Sequence, residues 1–429
     1  MSDRGVRTVG GPLRAKIRAV SSKSATHRAL LVAALADSPS TLIHPLDADD
    51  TRTTAEGLIA LGIDVVRRGG AWEVRGLGGR VAGGGSVFLG GSGTSLRFLL
   101  ALAALGERPS RLDGSPRLRE RPVQELARAL VQLGGRVVLG EASGGLPLEA
   151  GGGHIRGGEA TLPGDRSSQF ASALLLIGSR LPAGLDLILE PPVVSLPYIE
   201  LSEQLLASFG AKVTRIERYR WRVESGPYPG REIRVEGDHS AASYFFLAGA
   251  LLGGSVRVEG LDPDSRQPDA RFRRILEDLG CVVRIGADWI EVEGSGRIPR
   301  FEVDLTDAPD LAPTLAVLAL FAEGPCVLRG IAHLRLKESD RVAVLARNLE
   351  ILGRPTRVGE GALEIGHPPR PSTRGARRIL TASDHRIAMA FAVAGLRIEG
   401  LVLDDADCVA KSNPSFWDQF ADLEGEPDT

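Results

Sequence analysis

The feature that most constrains the fold is a repeat, because two sequence patterns recur along the chain with a period of about 72 residues. In the first pattern, a helical stretch ends at a glycine and leads into the alternation of apolar and polar residues that is typical of a strand. Glycine readily adopts the left-handed conformation that closes a helix, so these glycines are predicted helix C-caps. They are Gly62, Gly134, Gly210, Gly280 and Gly353.

The second pattern is a small polar cluster that opens an apolar helix, and its copies lie 68 to 75 residues apart. Ser and Asp are common at any helix start, but capping chemistry alone fixes no period. Each repeat is therefore predicted to contain two helices with strands between them. A polar helix start also carries free backbone N–H groups and the positive end of the helix dipole, which favours anion binding. The copies are marked by Ser24, Ser92, Ser167, His239, Asp310 and His385.

Composition excludes several classes of protein. The 52 basic and 54 acidic residues nearly cancel, which argues against a chain-wide field for nucleic acid or an anionic membrane. Three widely spaced cysteines indicate no disulfide framework and fit a reducing cytoplasm. The best apolar run, Phe98 to Leu105, is far shorter than the ~20 residues of a membrane span. We therefore expect a cytoplasmic protein with no membrane segment.

Only five basic residues are lysines, and three of them, Lys23, Lys337 and Lys411, fall inside polar motifs. These motifs resemble, in order, the signature segments of the 5-enolpyruvylshikimate-3-phosphate (EPSP) synthase family. The resemblance extends from residue 21 to residue 417, so no single short motif carries it. The segments are SSKSATHRALL, GGSGTSLRFL, GSPRLRERP, GDRSSQF, VVSLPYIE, DAPDLAPTLAV, LRLKESDR, SDHRIAM and CVAKSNPSFW.

The resemblance implies an α/β fold of two similar globular domains, each built from three βαβαββ-type units, with the active site in the cleft between the domains. The first domain would be residues 20–234, and the second would combine residues 1–19 with 235–429. The reaction implied is transfer of the enolpyruvyl group of phosphoenolpyruvate to the 5-hydroxyl of shikimate 3-phosphate by addition and elimination of phosphate. This step belongs to the shikimate pathway, which leads to chorismate and the aromatic amino acids.

The resemblance also assigns residues to the two substrates. Burying two phosphates and two carboxylates requires cations and N–H donors, and the matching positions are rich in both. The residues matching shikimate 3-phosphate contacts are Lys23, Ser24, Arg28, Ser167, Ser168, Gln169, Ser195, Tyr198, Asp310 and Lys337. The residues matching phosphoenolpyruvate contacts are Lys23, Gly93, Arg121, Gln169, Arg341, Arg386 and Lys411. At this site the family implies competition by glyphosate.

The chemistry requires one base for the hydroxyl and one acid/base group for C3 of phosphoenolpyruvate. We expect Asp310 to take the hydroxyl proton and Glu338 to serve C3, with His385 as a second candidate for proton transfer. Lys23 and Lys411 are expected to assist departure of phosphate. No His, Cys and carboxylate cluster has the spacing of metal ligands, so neither a metal nor another cofactor is expected.

Several residues have simpler interpretations. Arg119 and Arg121 could form a solvated charge run, and Asp384 could only cap its helix. Glu338 and Arg341 stand three apart and could pair with each other. Four histidines without metal-ligand spacing are interpreted as surface or capping residues, although one stands where many family members have asparagine. They are His27, His154, His239 and His333.

Two alternative functions stay open. The sister enolpyruvyl transfer to a UDP-amino sugar, UDP-N-acetylglucosamine, uses a reactive cysteine in a mobile loop, and the RLDGSPRLRERP stretch at that position contains none. A non-catalytic phospho-metabolite binding protein would keep the arginines but would not need Asp310 and Glu338 together. The expected partners are the two small-molecule substrates, with a monomeric chain and no nucleic acid.

Overall fold

The computed structural model describes residues 2–367 and 377–424, and the chain divides into two compact units. The first unit is Ser21–Val235, and the second unit combines Met1–Val20 with Glu236–Thr429. Each unit has its own apolar core. The boundaries expected from the sequence lie one residue earlier at each crossing.

Both units mix helices and strands. The α-helices are α1 Lys23–Leu35, α2 Asp49–Ala60, α3 Gly93–Ala104, α4 Pro116–Glu120, α5 Gln124–Gln132, α6 Ser168–Gly178, α7 Leu196–Phe209, α8 His239–Leu252, α9 Phe272–Asp278, α10 Ala312–Leu320, α11 Arg341–Ile351, α12 His385–Gly395 and α13 Phe416–Glu424. Short 3₁₀ helices span Pro268–Arg271, Pro309–Leu311, Ala332–Leu336 and Asp407–Lys411.

The strands are short and distributed over the whole described chain. In the first 163 residues they are β1 Arg4–Gly5, β2 Leu13–Arg18, β3 Ser40–Ile43, β4 Val65–Arg68, β5 Ala71–Val74, β6 Val81–Gly83, β7 Ser86–Phe88, β8 Gly106–Arg108, β9 Ser110–Asp113, β10 Val137–Val138, β11 Leu148–Ala150 and β12 Gly158–Pro163. After these come β13 Leu185–Glu190, β14 Val213–Glu217, β15 Arg220–Val223, β16 Glu232–Arg234, β17 Gly254–Glu259, β18 Val282–Ile285, β19 Trp289–Gly294, β20 Glu302–Asp304, β21 Cys326–Arg329, β22 Thr356–Val358, β23 Ala362–Ile365, β24 Arg377–Ile379 and β25 Leu401–Leu403.

One sheet arrangement recurs in both units. A strand runs parallel to its neighbour, the neighbour is antiparallel to a third strand, and the third pairs with the fourth as a hairpin. In the first unit the orders are β16-β3-β5-β4, β7-β9-β11-β10 and β12-β13-β15-β14. In the second unit they are β2-β17-β19-β18, β20-β21-β23-β22 and the three-stranded β24-β25-β1. Strands β1 and β2, at the start of the chain, pair with β25 and β17, which lie far along the sequence. The repeats therefore do not begin at the first residue of the chain.

The six helices of the polar-cluster pattern form the centres of the units. Helices α1, α3 and α6 pack against one another in the first unit, and α8, α10 and α12 do so in the second. They are buried over almost their whole length, as expected for helices that are apolar on all sides. Side chains cap five of the six at the N-terminus, and these caps are Ser22, Ser92, Ser167, Asp238 and Asp384.

The glycine pattern marks the ends of the outer helices. All five glycines adopt positive φ between 86° and 95° where α2, α5, α7, α9 and α11 end. This confirms the predicted left-handed closures. The polar clusters therefore mark the starts of the central helices, and the five glycines mark the ends of the outer helices.

Candidate active site

In the first unit, the start of α1 places two cations. Lys23 is the first residue of the helix, and its Nζ lies 3.0 Å from Oδ2 of the buried Asp50. Arg28 lies one turn further, and it donates to the hydroxyls of Ser172 and Ser202 and to backbone carbonyls. Burial among these neutral acceptors lowers the pKa of Arg28 to about 10. Arg28 is thus a buried cation whose hydrogen-bond partners are neutral groups. Its positive charge is therefore available to an anionic ligand.

The start of α3 brings two more arginines together. A Cβ added at Gly93 would lie 2.3 Å from Nη1 of Arg97 and 2.4 Å from Nη1 of Arg121. Both arginines are buried, whereas Arg119 is exposed and pairs with Asp113. The solvated-run interpretation is therefore right for Arg119 and wrong for Arg121. Glycine at position 93 makes room for two guanidinium groups at a helix N-terminus.

Since the family resemblance implies that phosphoenolpyruvate binds beside Gly93, Gly93→Ala is expected to raise the KM for phosphoenolpyruvate roughly 10- to 100-fold, because the new methyl group would displace both guanidinium groups. Glyphosate inhibition should weaken even more than phosphoenolpyruvate binding. The matched control is Gly226→Ala, since nothing lies within 4 Å of a Cβ there. Steady-state kinetics with and without glyphosate tests this, and an unchanged KM in Gly93→Ala would contradict the steric argument.

The remaining residues assigned to the first unit lie at the starts of α6 and α7. Nε2 of Gln169 donates to Oγ1 of Thr94 at 3.0 Å, which joins the N-terminal turns of α6 and α3. Ser167 caps α6, and Ser168 is its first residue. Ser195 precedes α7 with a left-handed φ of 57°. The backbone oxygen of Tyr198 accepts the hydrogen bond from Arg28.

In the second unit, the central feature is Arg341, the first residue of α11 and almost fully buried. Its guanidinium group contacts three carboxylates: Asp384 at 2.7 Å, Glu338 at 2.8 Å and Asp310 at 2.9 Å. Burial opposes the charge, but the carboxylates outweigh it and raise the pKa of Arg341. The pairing of Glu338 with Arg341 considered from the sequence is present, within this larger network.

Asp310 connects this network to a second arginine. Its Oδ1 accepts from Arg341 and its Oδ2 accepts from Arg386 at 2.8 Å. Burial favours the neutral acid, but the positive charges of Arg386, Arg341 and Lys337 hold the pKa of Asp310 well below its usual range. The carboxylate is therefore ionised at neutral pH.

Asp384 has two roles. It caps α12 by accepting from the backbone N–H of Arg386 at 3.1 Å, as expected, and it also forms the shortest contact to Arg341. The adjacent His385 is fully buried, with Nδ1 3.9 Å from Oδ1 of Asp384. One buried carboxylate thus positions the Arg341 side chain and the backbone that carries Arg386.

His333 lies in the 3₁₀ helix just before Lys337 and is buried. Burial and the charge of Lys337 lower the pKa of His333 to about 3, so the ring is neutral. His27 and His239 are also buried, and only His154 is exposed among these four. The expectation of surface positions was thus wrong for three of the four, although His239 does lie in the first turn of α8. Lys411 ends the 3₁₀ helix Asp407–Lys411 and is half-buried.

Sequence reasoning missed Asp50 and Arg97 as parts of these clusters. Arg97 stood in a polar motif, but its approach to Arg121 depends on how two helices meet. Asp50 is the second residue of α2 and carried no motif of its own. Across residues 2–367 and 377–424, no group of three or more His, Cys, Asp or Glu side chains could hold a metal ion. No helix in that part of the chain is long and apolar enough to cross a membrane.

Solved structures of similar fold include EPSP synthase from Acinetobacter baumannii, with a TM-score of 0.80, 26% identity and 98% of both chains covered. The enolpyruvyl transferase NikO from Streptomyces tendae has a TM-score of 0.76 at 19% identity, covering 97% of this chain and 96% of NikO, and supports the fold alone.

Sequence relatives extend over nearly the whole chain. The 3-phosphoshikimate 1-carboxyvinyltransferase of Methanoculleus marisnigri is 42% identical over 411 residues, which cover 95% of this chain and 96% of the relative. That of Syntrophobacter fumaroxidans is 42% identical over 415 residues, covering 96% and 97%. The family model for EPSP synthase (3-phosphoshikimate 1-carboxyvinyltransferase) matches residues 8–420. With these matches and both clusters in place, the chain belongs to the EPSP synthase family.

Proposed function

We propose that this chain transfers the enolpyruvyl group of phosphoenolpyruvate to the 5-hydroxyl of shikimate 3-phosphate and releases inorganic phosphate. Family membership over residues 8–420 supports this reaction. The observation that carries the site assignment is the meeting of two buried arginines, Arg341 and Arg386, at the ionised Asp310. Such a network can hold an anionic substrate beside a group that accepts a proton.

We propose that basic side chains of both units bind the phosphate and carboxylate groups of the substrates. In the first unit, Lys23, Arg28 and Arg121 lie at or near helix N-termini, and Arg97 joins them through its approach to Gly93. In the second unit, Lys337, Arg341, Arg386 and Lys411 supply charge. We assign the substrate contacts residue by residue as the family resemblance implies, and we add Arg97 to the phosphoenolpyruvate set.

Addition begins when the 5-hydroxyl attacks C2 of phosphoenolpyruvate. Its proton passes to Asp310, which is ionised at working pH. C3 gains a proton at the same stage, which leaves a tetrahedral adduct. Lys23 and Lys411 then stabilise the departing phosphate as C3 returns its proton.

We assign Glu338 to C3 of phosphoenolpyruvate. In the free protein its Oε2 accepts a hydrogen bond from Nη2 of Arg341 at 2.8 Å. A substrate carboxylate that binds Arg341 would compete for the same donors. His385 remains a second candidate for proton transfer to C3, because it is buried beside Asp384.

The first test is phosphate release from phosphoenolpyruvate with shikimate 3-phosphate as acceptor. We expect release that depends on this acceptor, together with a product heavier by one enolpyruvyl group. UDP-N-acetylglucosamine serves as the control acceptor and should give none. Release with the UDP-sugar, but not with shikimate 3-phosphate, would overturn the proposal.

A further inference from the structure

The turn that precedes α12 has an unusual backbone. Residues 381–384 form a turn that is closed by a hydrogen bond from the N–H of Asp384 to the carbonyl oxygen of Thr381 at 3.0 Å. Its two central residues, Ala382 and Ser383, have φ of 51° and 53°. Positive φ at both central positions is typical of a type I′ turn, which Gly, Asn and Asp favour because a Cβ atom is crowded there. The turn therefore holds an alanine and a serine in a conformation that neither prefers.

Two carboxylates at the end of the neighbouring strand anchor this turn. Strands β24 and β25 are parallel, so the residues that follow them lie at the same edge of the sheet. Oδ1 of Asp404, the residue after β25, accepts from the backbone N–H of Thr381 at 2.8 Å and from its hydroxyl at 2.6 Å. Oδ2 of Asp405 accepts from the hydroxyl of Ser383 at 3.0 Å. These three hydrogen bonds hold both the start and the centre of the turn.

The anchors are shielded from water. Thr381 is fully buried, Asp405 is buried and Asp404 is half-buried. Hydrogen bonds to a carboxylate are stronger than those between neutral groups, so these contacts can offset the strain of the turn. Strained backbone persists only where the surroundings fix it, and it is concentrated at active sites and ligand clamps. The anchored turn therefore points to a function beyond joining β24 to α12.

The turn carries groups that the proposed function needs. Asp384, its last residue, accepts from Nε of Arg341 at 2.7 Å and caps α12 through the backbone N–H of Arg386 at 3.1 Å. Both arginines also donate to Asp310. A change in the conformation of the turn would therefore displace Arg341 and Arg386 together.

We propose that Asp404 and Asp405 are positioning residues for phosphoenolpyruvate, which hold the left-handed turn and thereby fix Arg341 and Arg386 in the geometry that binds this substrate. The proposal rests on the proposed function, which assigns both arginines to phosphoenolpyruvate. Neither aspartate lies in a signature segment, so sequence reasoning assigned them no role. They act through the turn and need no contact with the substrate.

The test compares the KM for each substrate in the wild type, Asp404→Ala and Asp404→Asn. Alanine removes the acceptor of two hydrogen bonds, so the turn can relax, and we expect the KM for phosphoenolpyruvate to rise about 10-fold. The KM for shikimate 3-phosphate should stay within about 2-fold, because most of its assigned contacts lie in the first unit. Asparagine keeps an oxygen that can accept both hydrogen bonds but carries no charge, so it should restore a KM within about 2-fold of wild type.

Ala382→Gly provides a second rescue. Glycine adopts positive φ about as readily as negative φ, so it lowers the cost of forming the turn. Alone, it should leave both KM values unchanged. Combined with Asp404→Ala, it should bring the KM for phosphoenolpyruvate back to within a few-fold of wild type. A merely structural role for Asp404 would not predict this recovery, and thermal unfolding checks that every variant is folded during the assay.

Thr381→Val and Ser383→Ala are companion variants, which keep the test decisive if alanine at position 404 prevents folding. Each removes one hydroxyl donor, to Asp404 and to Asp405 respectively. We expect each to raise the KM for phosphoenolpyruvate a few-fold, because each leaves the turn one hydrogen bond short.

Four outcomes would overturn the inference: an unchanged KM for phosphoenolpyruvate in the alanine and valine variants, an equal rise in the KM for both substrates, no rescue by Ala382→Gly, or an asparagine variant as impaired as Asp404→Ala. The last result would mean that the charge of Asp404 matters and not its hydrogen bonds to the turn. Failure of the proposed function would look different. In that case the wild type itself would release no phosphate with shikimate 3-phosphate.

Discussion

Asp310→Asn should lower kcat on the order of 100-fold or more while leaving the KM values within a few-fold of wild type. The amide keeps the shape of the side chain, and its single oxygen can still accept from one of the two arginines, Arg341 or Arg386, but the amide cannot accept the hydroxyl proton. A loss confined to kcat indicates an interaction needed in the transition state rather than in binding. Initial rates of phosphate release, measured on protein shown to be folded, provide the test.

Glu338→Gln is the matched variant, since it neutralises the other carboxylate assigned to proton transfer. It should also lower kcat, and it should slow the exchange of solvent deuterium into the methylene group of phosphoenolpyruvate. Arg28→Ala, in contrast, should mainly raise the KM for shikimate 3-phosphate. Normal exchange in Glu338→Gln together with lost exchange in His385→Gln would assign the C3 proton to the histidine.

Arg341→Met should lower the free energy of unfolding at pH 7 by about 3–5 kcal/mol, because it leaves three carboxylates without their shared cation. In the wild type the pKa of Asp310 lies below its ordinary value, so its stabilisation is present at neutral pH and disappears as the pH falls through the acid range. The deficit of the variant should therefore shrink as the pH falls below about 4. Urea unfolding at several pH values measures it.

Arg354→Met is the control for this prediction. Arg354 is equally buried, but it donates to the backbone carbonyls of Leu320, Ala322 and Gly366 instead of carboxylates. Its removal also costs stability through unmatched carbonyls, but that cost should not depend on pH in the acid range. A deficit in Arg341→Met that is equally independent of pH would contradict the role of the ionised carboxylates.

The repeat made much of the fold predictable. Helix closure at glycine and helix opening at Ser or Asp are local effects, so the starts of most central helices and the ends of the outer helices could be predicted without tertiary information. The strand at Trp289 likewise follows from alternation and lies in β19. The pairing of β1 and β2 with strands far along the chain could not be found in this way, because neither short segment carries a repeat pattern.

The site was predictable where a residue belongs to a helix start, and less so where its role depends on another repeat. Asp384 shows both cases: its cap is local, but its contact with Arg341 joins residues 43 positions apart. Arg121 and Arg119 look alike in sequence and differ in burial only because of the fold. His333 is buried in a short 3₁₀ helix between the buried Ile331 and Leu334.

The pairing of β2 with β17 also affects how the chain can fold as it is synthesised. Strand β2 emerges early in synthesis, but Gly254, where its parallel partner begins, emerges only after the whole first unit has been made. Until then β2 has two unpaired edges, which in an apolar strand would promote aggregation. Its sequence, LRAKIR, alternates apolar residues with Arg14, Lys16 and Arg18. Three like charges along one face repel other copies of the strand, so β2 can remain soluble until its partner strand β17 has been synthesised.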